Sequence, residues 1–191
     1  MNKAILSVLL GLMMVFASAC GGGKPNQLQY EVAPLAFMNQ DGDPVSLSDL
    51  KGKVWIADMV FTYCATVCPS MTANMSELQQ RLQSAGVDAT LISFSVDPER
   101  DDPEALKQYL TKFNADFSNW HALTGYSFSE IKTFLLDSFK TAIAKDESSD
   151  QVIHGTSFFL VDPSGTVVAK YDGMMDTPYD KIINDVKALQ R

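Results

Sequence analysis

Two cysteines separated by three residues are the strongest chemical signal in the chain. Cys64 and Cys68 lie between an apolar run and Pro69, a residue suited to the first turn of a helix. Because a helix N-terminus favours negative charge, thiolates form there more readily than in free cysteine. The polar pair Thr62-Tyr63 before them argues against two inert, buried thiols. The pair therefore predicts either a redox disulfide or part of a metal site.

A third ligand would decide which metal the thiols could hold. Two soft thiolates suit Cu(I), an added nitrogen ligand would stabilise Cu(II) or Zn(II), and a closed zinc site would need a fourth ligand. The chain has two histidines. His154, which immediately precedes an apolar run, is the candidate for the third metal ligand. A lone histidine, however, more often serves as a structural hydrogen-bonding residue. His121, beside Trp120 in a predicted loop, keeps that structural interpretation.

Hydrophobic patterning predicts the elements that position these residues. The run 54–61 is almost continuously apolar, which is typical of a strand buried on both faces. A loose hairpin is expected over 31–47, a polar turn over 48–53, a plain connection over 120–125 and a polar loop over 145–150. Further strands are predicted at 89–96, 156–161 and 166–171, and helices at 69–86, 106–113, 127–135 and 179–190. The order resembles an α/β thioredoxin-like fold with an N-terminal β-hairpin and an insertion before the C-terminal hairpin and helix.

Composition limits the class of protein. The chain has 191 residues, 46% of them hydrophobic, which is enough for one globular domain. Its formal net charge is −8 and no Lys/Arg run stands out, so the sequence argues against nucleic-acid binding. We therefore expect a single acidic domain that does not bind nucleic acid.

The N-terminal residues predict export and a membrane anchor. One lysine precedes the uncharged, mostly apolar stretch 4–19, as in a secretory signal peptide. Residues 17–20, Ala-Ser-Ala-Cys, resemble a bacterial lipobox, with Ala17 where leucine is usual. We predict a lipoprotein-type signal peptide at 1–19, lipidation of Cys20, a flexible tether at 20–30 and the domain at 31–191. The alternative is an ordinary cleavage site that leaves Cys20 free.

Four motifs together resemble the Sco/SenC family of cytochrome oxidase assembly proteins. They are Thr-Tyr-Cys-Ala-Thr-Val-Cys-Pro at 62–69, Ser-Val-Asp-Pro-Glu-Arg-Asp at 95–101, Trp-His-Ala-Leu-Thr-Gly at 120–125, and His154 before the run 157–161. The resemblance implies that Cys64, Cys68 and His154 bind copper, and that Asp97 lies beside these ligands without binding the metal. Ile153 departs from the pattern, because many members carry an aspartate there.

The same resemblance implies a role. It predicts a lipid-anchored copper metallochaperone on the extracytoplasmic side of the cell membrane, acting on the CuA centre of cytochrome c oxidase subunit II. Other copper chaperones or thiol reductants are further possible partners. A thiol-disulfide oxidoreductase that reduces the CuA-site cysteines is the alternative, and a peroxiredoxin-type peroxidase is a weaker one. Thioredoxin-like oxidoreductases usually have a cis-proline before the third core strand, where this chain has Gly155-Thr156-Ser157, and that difference favours the metal site.

Overall fold

The computed structural model describes residues 28–34 and 36–191. The predicted signal peptide, Cys20 and most of the predicted tether lie outside these residues. In the described part the strands are β1 Tyr30–Glu31, β2 Ala36–Met38, β3 Pro44–Ser46, β4 Trp55–Val60, β5 Thr90–Ser95, β6 Trp120–Leu123, β7 Ala144–Lys145, β8 Val152–Ile153, β9 Ser157–Val161 and β10 Thr166–Asp172. The helices there are α1 Leu47–Leu50, α2 Cys68–Ser84, α3 Pro103–Thr111, α4 Phe128–Phe139 and α5 Tyr179–Leu189.

A mixed sheet forms the centre of the fold, in the order β1-β10-β9-β4-β5-β6. Strands β4, β5 and β6 are parallel, as expected where helices form the crossovers, and β9 runs antiparallel to β4. All six residues of β4 are buried, which explains its continuous apolar pattern. This is the α/β thioredoxin-like arrangement that the sequence predicts.

The helix ends follow local sequence signals. Helix α2 begins at Cys68 with Pro69 in its first turn, where a missing N–H costs nothing. Helix α4 begins with a capping box in which Ser127 and Glu130 satisfy each other's backbone N–H groups. The predicted inward residues Met71 and Met75 of α2 are fully buried. In the part of the chain that the structure describes, no helix has the length and apolarity needed to span a membrane.

Several short elements differ from the sequence predictions. The predicted connection at 120–125 is strand β6, which pairs with β5, and the predicted turn at 48–53 begins with helix α1. The predicted loop at 145–150 lies within a small hairpin formed by β7 and β8.

The N-terminal segment agrees with the prediction in one respect and extends it in another. The predicted N-terminal hairpin is present as β2 and β3. Tyr30, the last residue of the predicted tether, belongs to β1 and pairs with β10.

Candidate metal centre

The sheet brings the predicted ligands to one end of β4. Cys64 lies in the loop after β4, Cys68 is the first residue of α2, and His154 lies between β8 and β9. Because β9 runs antiparallel to β4, the start of β9 lies beside the end of β4. The ligand atoms of the three residues all lie within 4.8 Å of one another, although 86 positions separate Cys68 from His154.

The ring of His154 faces the cysteines through Nε2. Its Nδ1 lies 2.9 Å from the carbonyl oxygen of Gly155, so the Nδ1–H donates a hydrogen bond to that carbonyl. Nε2 lies 3.2 Å from the Sγ atom of Cys68. The ring packs edge-on against Phe61, with ring centroids 5.8 Å apart. This tautomer and orientation suit metal binding through Nε2.

The two thiols have opposite electrostatic environments. Burial raises the pKa of Cys64, but hydrogen bonds from His154, from Cys68 and from the Thr66 backbone outweigh burial and lower that pKa to about 6. One of them is donated by the Cys68 N–H to the Cys64 Sγ at 3.3 Å. Burial and the hydrogen bond with Cys64 raise the pKa of Cys68 far above its ordinary value. At neutral pH the metal-free pair is therefore a Cys64 thiolate beside a Cys68 thiol.

The donor set fits a soft metal ion. Two sulfurs and one imidazole nitrogen converge from a loop, a helix start and the connection between β8 and β9. Thiolates bind Cu(I) well, and a nitrogen ligand extends the range to Cu(II). The structure brings the three predicted ligands together, and their binding of metal stays a prediction.

Asp97 is connected to the site through Arg100. Its carboxylate accepts a hydrogen bond from Arg100 Nε at 2.5 Å, and its backbone N–H donates to Ser95. The guanidinium carbon of Arg100 lies 4.8 Å from the ring centroid of Tyr63, the residue before Cys64. Arg100 also donates to the backbone oxygen of Asp150. The described contacts of Asp97 thus support the loops around the site.

Sequence reasoning did not predict two buried carboxyl groups. Asp58, in the middle of β4, accepts a 2.6 Å hydrogen bond from Ser93, whose oxygen in turn accepts one from the Trp120 ring. Asp101 accepts hydrogen bonds from Thr62 and Ser95. Burial raises both pKa values, that of Asp58 to about 6. A charged residue inside the apolar run 54–61 was the available signal for Asp58.

The fold and the site define the class: a thioredoxin-like domain in which a cysteine of the loop after β4 and the first residue of α2 meet a histidine that precedes β9. The SCO1/SenC family model matches residues 23–191. A SCO1 protein homolog of Bacillus subtilis (strain 168) is 51% identical over 187 residues, which cover 97% of each chain. The chain belongs to the SCO1/SenC family.

Solved structures agree with this assignment. A SCO1/SenC family lipoprotein from Bacillus anthracis str. Ames has a TM-score of 0.84 and 48% identity, covering 87% of this chain and 99% of its own. BsSco, a Sco family cytochrome c oxidase assembly protein with a disulfide switch, has a TM-score of 0.81 and 51% identity, covering 87% and 98%. Bradyrhizobium japonicum ScoI, solved with copper bound, has a TM-score of 0.70 and 26% identity, covering 83% and 99%.

Proposed function

We propose that the chain binds copper through Cys64, Cys68 and His154 and delivers it during assembly of cytochrome c oxidase. The observation that carries the proposal is the convergence of two sulfurs and one imidazole nitrogen within 4.8 Å. Family members that bind copper or assist oxidase assembly support it. Copper is the cargo in this scheme, and the protein's task is to hold it and release it.

The residues of the site divide this task between them. Cys64 is already ionised at neutral pH, whereas Cys68 must lose its proton when a metal ion binds. His154 offers Nε2 while Gly155 fixes its tautomer. When a disulfide of another protein oxidises the pair, the Cys64 thiolate and the Cys68 thiol give up two electrons and one proton to it, and the site loses two metal ligands. The redox state of the pair would therefore determine whether copper is held.

Copper titration of the reduced and disulfide forms tests the site. We expect one equivalent to bind tightly to the reduced chain and weak or no binding to the disulfide form. His154→Ala should weaken binding, whereas His121→Ala, which changes the other histidine, should leave it unchanged. Unaltered copper affinity in His154→Ala would remove that residue from the site.

The acceptor that we propose is the CuA centre of cytochrome c oxidase subunit II. The oxidase-assembly role of the family supports an oxidase partner. Two equivalents of the copper-loaded chain are mixed with the metal-free, reduced CuA domain, and ferricyanide then oxidises the product by one electron, which should produce the CuA absorption bands as copper leaves the donor. A Cys68→Ser chain should produce none. Absence of the bands with the intact, loaded chain would contradict subunit II as the acceptor.

The membrane location is a further part of the proposal. We propose that residues 1–19 are removed, that Cys20 carries the lipid, and that residues 31–191 function on the extracytoplasmic side. The lipobox-like residues 17–20 and the lipoprotein relative from Bacillus anthracis support this location. Cys20→Ser should move the protein from the membrane fraction to the soluble fraction and abolish labelling by a fatty acid. Membrane retention of this variant would contradict the anchor.

A thiol-disulfide oxidoreductase is the second candidate, and the low pKa of Cys64 favours it. An ionised, slightly exposed thiol beside a second thiol can attack a partner disulfide, after which Cys68 would resolve the mixed disulfide. Fast reduction of a disulfide-bonded CuA domain, together with negligible copper affinity, would favour this function. Tight copper binding with slow exchange would favour the chaperone.

A further inference from the structure

The side chain of Gln151 joins the two segments that carry the ligands. Its Nε2 donates to the backbone oxygen of Tyr63 at 3.1 Å, and its Oε1 accepts from the backbone N–H of Ala65 at 3.3 Å. These two groups belong to the peptide units on either side of Cys64. One amide side chain therefore holds both peptide planes that set the position of Cys64.

Gln151 is itself fixed on the histidine side of the site. Its backbone oxygen accepts a 2.9 Å hydrogen bond from the Asp146 N–H, which closes the turn between β7 and β8. Arg100 donates to the backbone oxygen of the preceding residue, Asp150, while its guanidinium lies over the ring of Tyr63. Gln151 begins the short connection through β8 to His154. The amide therefore connects the cysteine loop to the histidine segment by direct bonds.

The thiols behind this connection are nearly closed to solvent. Cys68 has no exposed surface, and Cys64 is only 8% exposed. A metal ion or partner thiol that reaches both sulfurs requires the cysteine loop and the histidine segment to separate. The hydrogen bonds of Gln151 oppose that separation, and they lie at the partly exposed rim of the site.

We propose that Gln151 is a positioning residue that clamps the cysteine loop against the His154 segment and limits access to Cys64. The clamp deepens the proposed function, since it would set how fast copper enters and leaves. It acts in the metal-free chain as well. Access can therefore be measured without copper, and a failure of the clamp is distinguishable from a failure of copper binding.

Alkylation of the reduced, metal-free full chain by iodoacetamide measures this access. The Cys64 sulfur forms a bond to the reagent carbon as iodide leaves, and peptide mass spectrometry separates Cys64 from the other cysteines. The measurement is made at a pH where Cys64 is fully ionised, so that differences in the alkylation rate reflect how easily iodoacetamide reaches the Cys64 sulfur. For Gln151→Met, which keeps the length but loses both hydrogen bonds, we expect Cys64 to react about tenfold faster.

Two variants calibrate that result. Gln108→Met removes an exposed glutamine whose hydrogen bond to Glu104 is confined to α3, and it should change the Cys64 rate by less than about twofold. Gln151→Glu keeps an acceptor for the Ala65 N–H but has no donor for the Tyr63 oxygen, so it should give an intermediate rate. The denaturation midpoint is measured for each variant. A purely structural role would shift that midpoint and leave the native-state Cys64 rate unchanged.

Copper release provides the second readout. The loaded Gln151→Met chain should transfer copper to a chelator about tenfold faster than wild type, while the Gln108→Met chain should match wild type. Hydrogen exchange on the wild-type chain needs no variant, and the Ala65 amide should exchange more slowly than a free amide. A folded Gln151→Met chain whose Cys64 rate stays within about twofold of wild type would overturn the clamp. An unprotected Ala65 amide would also overturn it.

Discussion

Asp101 accepts hydrogen bonds from both the backbone N–H and the hydroxyl of Thr62, which lies 39 residues earlier in the chain. The distances to Asp101 Oδ1 are 3.2 Å from the nitrogen and 2.6 Å from the hydroxyl oxygen. The other carboxylate oxygen accepts from Ser95 at 2.6 Å. Asp101 thus attaches the start of the cysteine loop to the end of β5.

Asp101→Ala should destabilise the protein strongly. The substitution leaves the buried Ser95 hydroxyl and the half-buried donors of Thr62 without their acceptor, at a cost of about 2–4 kcal/mol in the free energy of unfolding. Urea denaturation measures that loss. Asp137→Ala, at an exposed position of α4, is the control and should change the free energy by less than about 0.5 kcal/mol. Equal midpoints for the two variants would contradict the structural role of Asp101.

Asp58 should make stability fall as the pH rises. Burial raises its pKa from 3.8 to about 6, so between these values the folded state binds more protons than the unfolded state. The stability contributed by the protonated form is complete below about pH 4 and is lost through about pH 6, a change of about 3 kcal/mol. The Asp58→Asn variant should lack this pH dependence. Urea denaturation of both chains from about pH 4 to 8 measures the free energy of unfolding at each pH. If that free energy changed with pH in the same way in both chains, the role of Asp58 would be refuted.

The reactivity of Cys64 should report its low pKa. Because the thiolate is the nucleophile, alkylation should rise with pH, reach half its maximum near pH 6 and then level off. His154→Ala removes one of the hydrogen bonds that lower the pKa, so the midpoint should move to higher pH. His121→Ala is the matched control and should keep the wild-type midpoint. An unshifted midpoint in His154→Ala would show that His154 does not stabilise the thiolate.

Gly173→Ala should destabilise the segment beside His154. A Cβ atom at Gly173 would lie 2.7 Å from the Phe158 ring and 3.0 Å from the Thr156 oxygen, so β9 would have to shift. We expect a loss of about 1–3 kcal/mol on urea denaturation. The Cβ atom of Gly155→Ala would contact only the Thr141 methyl group, at 3.3 Å, so this substitution should lower the free energy of unfolding less. A larger loss in Gly155→Ala than in Gly173→Ala would contradict this account.

Patterns that extend over many residues predicted the long elements well. The apolar run 54–61 contains β4, and the periodic stripe after Pro69 lies on α2. Strand β6 has only four residues, and its apolar and polar residues do not alternate. Its sequence therefore does not mark it as a strand, and only its pairing with β5 does so. The two-residue strands β7 and β8 likewise have no periodic signal. Long-range pairing determines these elements.

The site was predictable in its reactive residues and not in its supports. Cysteine spacing identified Cys64 and Cys68, and the family resemblance selected His154. Gln151 gave no signal, because a single polar residue in a polar segment looks like any solvated residue. Its role depends on a contact with Tyr63, 88 residues away, which only the folded chain brings about.

The unequal exposure of the two thiols gives ligand exchange an order. Cys64 presents a small exposed surface and Cys68 presents none. A partner thiolate approaching a copper ion on these residues would therefore replace Cys64 first, while Cys68 and His154 still held the ion from the protein side. Copper would pass through a state shared between donor and acceptor, and it would never be free in solution. The last bonds to break would be those to Cys68 and His154.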